Sequence, residues 1–309
     1  MIKSVVVTGA TSSIGTAIID ECIKENIKVL AIVKPDSVNL NRINRADNVK
    51  VLECPLEELN SIETEECYDA FIHLAWAATA GDAARNLLVP QSMNIRFALE
   101  AVDLAEKLGC SVFVGSGSQA EYGRTNERLT EETVPNPETA YGMAKLCAGQ
   151  MTRLACRQKG IRHIWPRILS AYGPKCQPQS VINYTLNELI NDRIPSLSGG
   201  DQVWDFIYTG DVARALLLLA DKGKDGEVYV IGSGDERLLK EYLTEASKVV
   251  QEKLNKSKVK LGLGEKPYGP NTVMHLTCNI DKLKNDTGFD IQTDFSNGIS
   301  NTIEWLLNS

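Results

Sequence analysis

Short apolar runs, most of them rich in β-branched residues, recur at Ser4 to Val7, Val29 to Val33, Val49 to Leu52, Ala70 to Leu74, Ser111 to Val114 and Arg162 to Trp165. Continuous rather than alternating apolar runs of this length suit strands buried on both faces. Helical stretches separate them, and the alternation predicts an α/β fold with a doubly wound parallel sheet. Ala213 to Ala220, with four consecutive leucines, reads as a buried helix. From Gln177 onward the pattern breaks into shorter elements rich in Gly, Pro and Asn, including Ser198 to Asp201 and Gly262 to Pro270. The expected organisation is a sheet domain at 1–176, a segment near 203–234 that returns to it, and a smaller substrate-covering region at 177–309.

The first run leads into Thr8-Gly9-Ala10-Thr11-Ser12-Ser13-Ile14-Gly15 and then a helical pattern from Thr16 to Lys24. Strand, tight turn and helix in this order form the Rossmann-type dinucleotide-binding unit. Gly9 permits the turn and Gly15 lets helix and strand pack closely. The backbone through Thr11, Ser12, Ser13 and Ile14 can then present N–H groups to a pyrophosphate. Ser12 stands where the fingerprint has its middle glycine.

Tyr141 and Lys145 form a Tyr-x-x-x-Lys pair one helical turn apart, on one face. A phenol titrating near ~10 is a poor base at neutral pH, and a neighbouring ammonium favours its phenolate. Such a tyrosine exchanges a proton with a hydroxyl while a nicotinamide exchanges the hydride. Ser118 lies in a Gly/Ser-rich segment after an apolar run.

The segments TGATSSIG, FIHLAW, SGSQAEYG, YGMAK, PRILSAYGP and DFIYTGDVARAL follow one another in the order and at the separations of a known family. The chain resembles the extended short-chain dehydrogenase/reductases, in the NAD(P)-dependent epimerase/dehydratase group that acts largely on nucleotide-sugars. The resemblance implies that Ser118 bonds the reacting hydroxyl, Tyr141 moves its proton, and Lys145 binds the nicotinamide ribose. It places Ser116 against backbone or cofactor, and Leu74, Ala75 and Trp76 on the nicotinamide side. Leu56 falls beside the adenine, and Gln119, Ser170 and Trp204 at the substrate. It also implies a homodimer, with the helix from Asn94 to Leu108 as a candidate face.

The departures from that pattern carry information. Gln119 and Ala120 stand where 4,6-dehydratases have an Asp-Glu pair, and neither acts as a carboxylate acid or base. Glu121, one position later, is expected to point elsewhere if strand alternation persists. An epimerase or ketoreductase acting at a sugar carbinol or ketone, at C4, therefore fits better than a dehydratase. Trp204 replaces an arginine that clamps the sugar-nucleotide diphosphate, a second arginine is missing near Tyr268, and Ser170 replaces an asparagine. Lys175, Arg193 and Lys266 are substitutes for that clamp. The alternatives are a reductase of a carbonyl substrate lacking a diphosphate and a non-catalytic NAD(P)-binding protein. After the second strand no carboxylate precedes Asp36, and Lys34 stands where an acid would hold a ribose 2′-hydroxyl. This favours NADP over NAD, with Arg42 and Arg45 as helpers. Glu53-Cys54-Pro55-Leu56 replaces the usual adenine-contacting Asp.

Composition narrows the class without changing it. At 309 residues, 43% hydrophobic and 24% charged, the chain reads as a globular protein, and its net charge of −7 disfavours nucleic acid and anionic membranes. No run is long and apolar enough for a membrane span, and no secretory signal precedes the first strand. Eight cysteines without framework spacing read as reduced thiols in a cytoplasmic protein, and three scattered histidines give no metal site.

Overall fold

The computed structural model describes residues 1–79, 81–256 and 260–308. The strands are β1 (Ser4–Thr8), β2 (Lys28–Val33), β3 (Val49–Glu53), β4 (Ala70–His73), β5 (Val112–Gly115), β6 (Gly117–Ser118), β7 (Arg162–Ile168), β8 (Ser170–Tyr172), β9 (Val203–Trp204), β10 (Phe206–Tyr208), β11 (Glu227–Ile231), β12 (Arg237–Leu238) and β13 (His275–Leu276). The helices are α1 (Ser13–Lys24), α2 (Gly81–Arg85), α3 (Leu88–Lys107), α4 (Ala140–Lys159), α5 (Val181–Ile190), α6 (Thr209–Lys222), α7 (Leu239–Lys253), α8 (Asp281–Thr287) and α9 (Phe295–Asn308).

The main sheet runs β11-β7-β5-β4-β1-β2-β3, parallel throughout, with β6 also pairing β7. All six apolar runs lie in it. Side chains alternate between the faces, so Val5 and Val7 pack with Ile18, Ile19, Val212 and Leu216 of α1 and α6, whereas Val6 packs with Val102, Leu104 and Leu108 on the α3 side. Burying each such side chain stabilises the fold by roughly 1.5–3 kcal/mol. Strand order reverses between β1 and β4, where open α/β sheets leave a crevice at the strand ends.

Beyond β7 the short elements form a second layer. β8 pairs β10, and β9 pairs β12 and β13. Tyr172, Phe206, Tyr242 and Phe295 make an aromatic cluster there, with ring centroids 4.7 to 6.2 Å apart where they meet. No helix among the described residues is long and apolar enough to cross a membrane.

Candidate functional site

At the end of β1 the chain turns through Gly9, whose φ is +69°. A Cβ at Gly9 would stand 2.8 Å from the Ala75 nitrogen, and one at Gly15 would collide with the Gly9 carbonyl. Both glycines are therefore required by close approach as well as by the turn. Ser12 caps α1, its hydroxyl oxygen accepting from Gly15 N at 3.0 Å. That explains the exchange for the fingerprint's middle glycine: a side-chain cap replaces a bare backbone at the helix start. A groove of about 440 Å³ opens beside this turn, lined by Gly9, Thr11, Lys34, Leu56, Ala75 and Trp76 among others. Ser13 faces a second hollow with Lys175 and Tyr208, and Leu74 packs against the core below. The glycine cradle and the N-terminal end of α1 fit a dinucleotide.

Lys34 is exposed at the groove edge. Arg42 is tied away from it, donating to the Lys175 carbonyl at 3.4 Å while Lys175 Nζ donates to the Arg42 carbonyl at 2.9 Å.

Next to Trp76, which lines the groove, stands α4, which begins after Thr139, whose hydroxyl accepts from Gly142 N. This sets Tyr141 and Lys145 on one face. The Lys145 ammonium is buried and donates to Ser116 O at 2.6 Å and Ser116 Oγ at 3.1 Å. It lies 3.7 Å from the Trp76 ring centroid and 5.8 Å from that of Tyr141. Burial pushes Lys145 down to about 7, opposed by the carboxylate of Glu121. Burial pushes the Tyr141 phenol up, while the Ser118 hydroxyl and the Arg85 guanidinium pull it down. Trp76 is held by its indole N–H, which donates to Gln91 Oε1 at 2.8 Å. Asn94 braces the same loop, accepting from Ala77 N and donating to Ala77 O.

Residues 119–121 form a tight 3-10 turn capped by Ser118, not a strand. Glu121 does point away from the reacting face, but because the turn drives it inward. It is fully buried, and Arg167 Nε donates to its Oε2 at 2.8 Å. Its Oε1 accepts from Ser118 N at 2.9 Å and from Trp165 Nε1 at 3.0 Å.

A cavity of about 340 Å³ lies over this turn, lined by Gln119, Ala120, Arg85, Arg124, Glu138 and Asn271 among others. The Arg85 guanidinium sits 5.1 Å from the Tyr141 ring centroid. Arg85, Arg124 and Asn271 carried no sequence signal, since each lies outside the recognisable segments. Ser170 and Trp204 are joined to each other, Trp204 Nε1 donating to Ser170 Oγ at 2.8 Å, and neither lines that cavity. Of the substitute cations, Arg193 is paired with Glu188 and Lys266 lies over Tyr184.

The model of the NAD dependent epimerase/dehydratase family matches residues 5–232. A putative UDP-glucose 4-epimerase of Methanocaldococcus jannaschii is 26% identical over 99% of both chains. A dTDP-glucose 4,6-dehydratase of Escherichia coli is 28% identical over 59% of this chain and 52% of its own length. Among solved structures, the UDP-N-acetylglucosamine 4-epimerase of Methanobrevibacter ruminantium, in complex with UDP-N-acetylmuramic acid, superposes with a TM-score of 0.87 at 24% identity, covering 99% of this chain and 98% of that one. The UDP-glucose 4-epimerase of Thermotoga maritima with UDP-glucose gives 0.84 at 24% identity over 99% of both. These two share the fold. With the family match extending from β1 through β11, the chain belongs to the NAD dependent epimerase/dehydratase family.

Proposed function

We propose that this protein is a nucleotide-sugar epimerase or ketoreductase that works at a sugar carbinol or ketone, at C4, and uses NADP(H) in preference to NAD(H). The carrying observation is that Ser118, Tyr141 and Lys145 stand together beside the groove-lining Trp76, with Gln119 and Ala120 next in the turn and the nearby buried carboxylate committed to Arg167. In this reading the Tyr141 phenol moves the hydroxyl proton and Ser118 orients that hydroxyl. The Lys145 charge holds down the cost of the phenolate. A nicotinamide cofactor bound in the groove would supply the hydride chemistry, with no net change in an epimerisation and with net oxidation in a reduction.

Elimination of water needs an added acid and base near the sugar, and no carboxylate at 119 or 120 offers either. The relatives named above include a dehydratase, so this point separates the chain from part of its own family. The reading also takes residues 177–309 as the substrate-binding region. It pairs two copies through the helix from Asn94 to Leu108, beside which α4 exposes Met143, Met151 and Leu154.

The test is incubation with NAD(P)(H) and a panel of UDP-, dTDP-, CDP- and GDP-sugars and 4-keto sugars, followed by NMR and nicotinamide absorbance. Epimerisation without net cofactor change, or NADPH consumption with a keto sugar, supports the proposal. Formation of a 4-keto-6-deoxy product overturns the exclusion of dehydration, and inertness towards every nucleotide-sugar overturns the substrate class. Tyr141→Phe is expected to fold, bind cofactor and lose turnover by about 10²-fold or more.

A further inference from the structure

Beneath the Ser118 turn lies a buried network that the proton transfer proposed above does not use. Three glycines on different elements make room for the Trp165 indole. A Cβ at Gly149 of α4 would stand 2.7 Å from the ring, one at Gly117 would stand 2.6 Å from its Nε1, and one at Gly115 would overlap it outright. The indole N–H so placed donates to Glu121 Oε1, the same oxygen that accepts from the Ser118 backbone N–H. The second oxygen takes Arg167 Nε, and the Arg167 guanidinium stacks 4.5 Å from the Tyr122 ring centroid.

A fully buried ion pair is weak evidence for stability, because desolvating both charges offsets their attraction. A fully satisfied buried network does, however, fix geometry closely. We propose that Glu121 is a positioning residue: held by Trp165 and Arg167, it fixes the Ser118 turn beneath Tyr141 and presents a negative charge to the phenol and to the Lys145 ammonium. This rests on the catalytic reading of Ser118, Tyr141 and Lys145.

The charged and titratable groups around Glu121 are few. Arg167 comes from β7 and Tyr122 from the turn itself. Tyr141 and Lys145 come from α4. Arg153 and His163 lie across a small void of about 20 Å³ that Glu121 also lines. Arg85 faces the phenol from α2, 5.1 Å from its ring centroid, and Arg167 alone is the bonded cation of Glu121. Removing its charge leaves Arg167 uncompensated and takes a negative charge away from the phenol, which favours the phenolate.

The experiment follows the Tyr141 13Cζ signal, assigned by its loss in Tyr141→Phe, through a pH titration of the protein saturated with whichever oxidised nicotinamide cofactor binds. In Glu121→Gln the amide oxygen still accepts from Ser118 and Trp165, and the Tyr141 midpoint is expected to fall by about half a unit or more, with cofactor affinity kept within about twofold. In Trp165→Phe the charge stays but the anchor goes. The Ser118 hydroxyl then loses its aim and the midpoint is expected to rise. An unchanged midpoint in Glu121→Gln, or loss of cofactor binding together with the shift, overturns the proposal. If Glu121→Gln fails to fold, Trp165→Phe decides alone: a raised midpoint supports the proposal and an unchanged one overturns it. Turnover of the same panel of nucleotide-sugars and 4-keto sugars by the unmodified protein is measured separately. A midpoint that responds in a protein that turns over no nucleotide-sugar refutes the proposed function and leaves the Glu121 coupling standing.

Discussion

The Lys145 ammonium lies 3.7 Å from the centroid of the Trp76 ring, and that ring meets Tyr141 edge-on at 6.1 Å. The indole thus covers the cation that the proposed chemistry needs beside the nicotinamide ribose. A cation held on an aromatic face away from water gains about 2 kcal/mol. A cofactor that reaches Lys145 has to displace that contact. Trp76→Ala is therefore expected to tighten NAD(P) binding by up to about thirtyfold, read by calorimetry. Weaker binding would show that the indole supports the cofactor instead of competing with it.

Lys145 places a charge where burial opposes it. Its folded value is about 7, whereas the free side chain titrates at 10.5. Below pH 7 both folded and unfolded chains hold the proton and the folded state bears the whole burial penalty. Between about 7 and 10.5 the folded lysine has released its proton and the unfolded one has not, so stability rises with pH across that window. Lys145→Met is expected to abolish turnover, raise the melting temperature at pH 7 and flatten that rise. A thermal melt at pH 7 measures the second, and denaturant titrations at pH 7 and pH 9 measure the third.

Two buried histidines act in the acid range. Burial holds His73 at about 3 and His163 at about 4. Each is bonded to a hydroxyl, His73 Nδ1 to Thr8 at 2.9 Å and His163 Nε2 to Thr152 at 3.0 Å. An unfolded histidine takes up a proton near pH ~6.5, and the folded ones do not until far lower pH. Stability is complete above pH ~6.5 and falls as pH drops towards 4, each histidine contributing a slope of about 1.4 kcal/mol per pH unit. His73→Asn and His163→Gln, which preserve the hydroxyl bond, should each remove its share of that slope in unfolding curves from pH 7 to 4.5. An unaltered slope would place the titration elsewhere.

Lys34 is the exposed cation at the groove edge, with Arg42 bound to Lys175. If it meets a 2′-phosphate, Lys34→Asp should weaken NADPH binding about tenfold or more and leave NADH binding nearly unchanged. Equal losses for the two cofactors would remove Lys34 from the selection.

Much of the frame was legible in advance because its signals are local. A strand buried on both faces has no polar alternation, so Val5 to Val7 and Phe71 to Ile72 announced themselves as apolar runs. Gly9 and Gly15 were legible because a tight turn and a close helix–strand contact each exclude a side chain. Tyr141 and Lys145 were legible because four residues on a helix make one face. The 3-10 turn at 119–121 was not, since nothing in Gln119-Ala120-Glu121 taken alone separates a turn from a strand. What chose the turn was the pull of Arg167 and Trp165 on Glu121, from 46 and 44 residues away. Likewise Ser12 looked like a defect in a glycine motif until its hydroxyl was found on Gly15 N.

The order of residues by itself determined the parallel sheet, the turn at its first strand and the spacing of the phenol and the ammonium, for these follow from backbone sterics and from periodicities within a few residues. Only the tertiary structure decided what surrounds that pair. The Trp76 indole on Lys145, the Arg85 guanidinium over Tyr141 and the buried Glu121 under Ser118 are set by long-range packing. They also set the charge balance at the site, because an electrostatic environment depends on distances in space and on exclusion of water, and neither is written in local order.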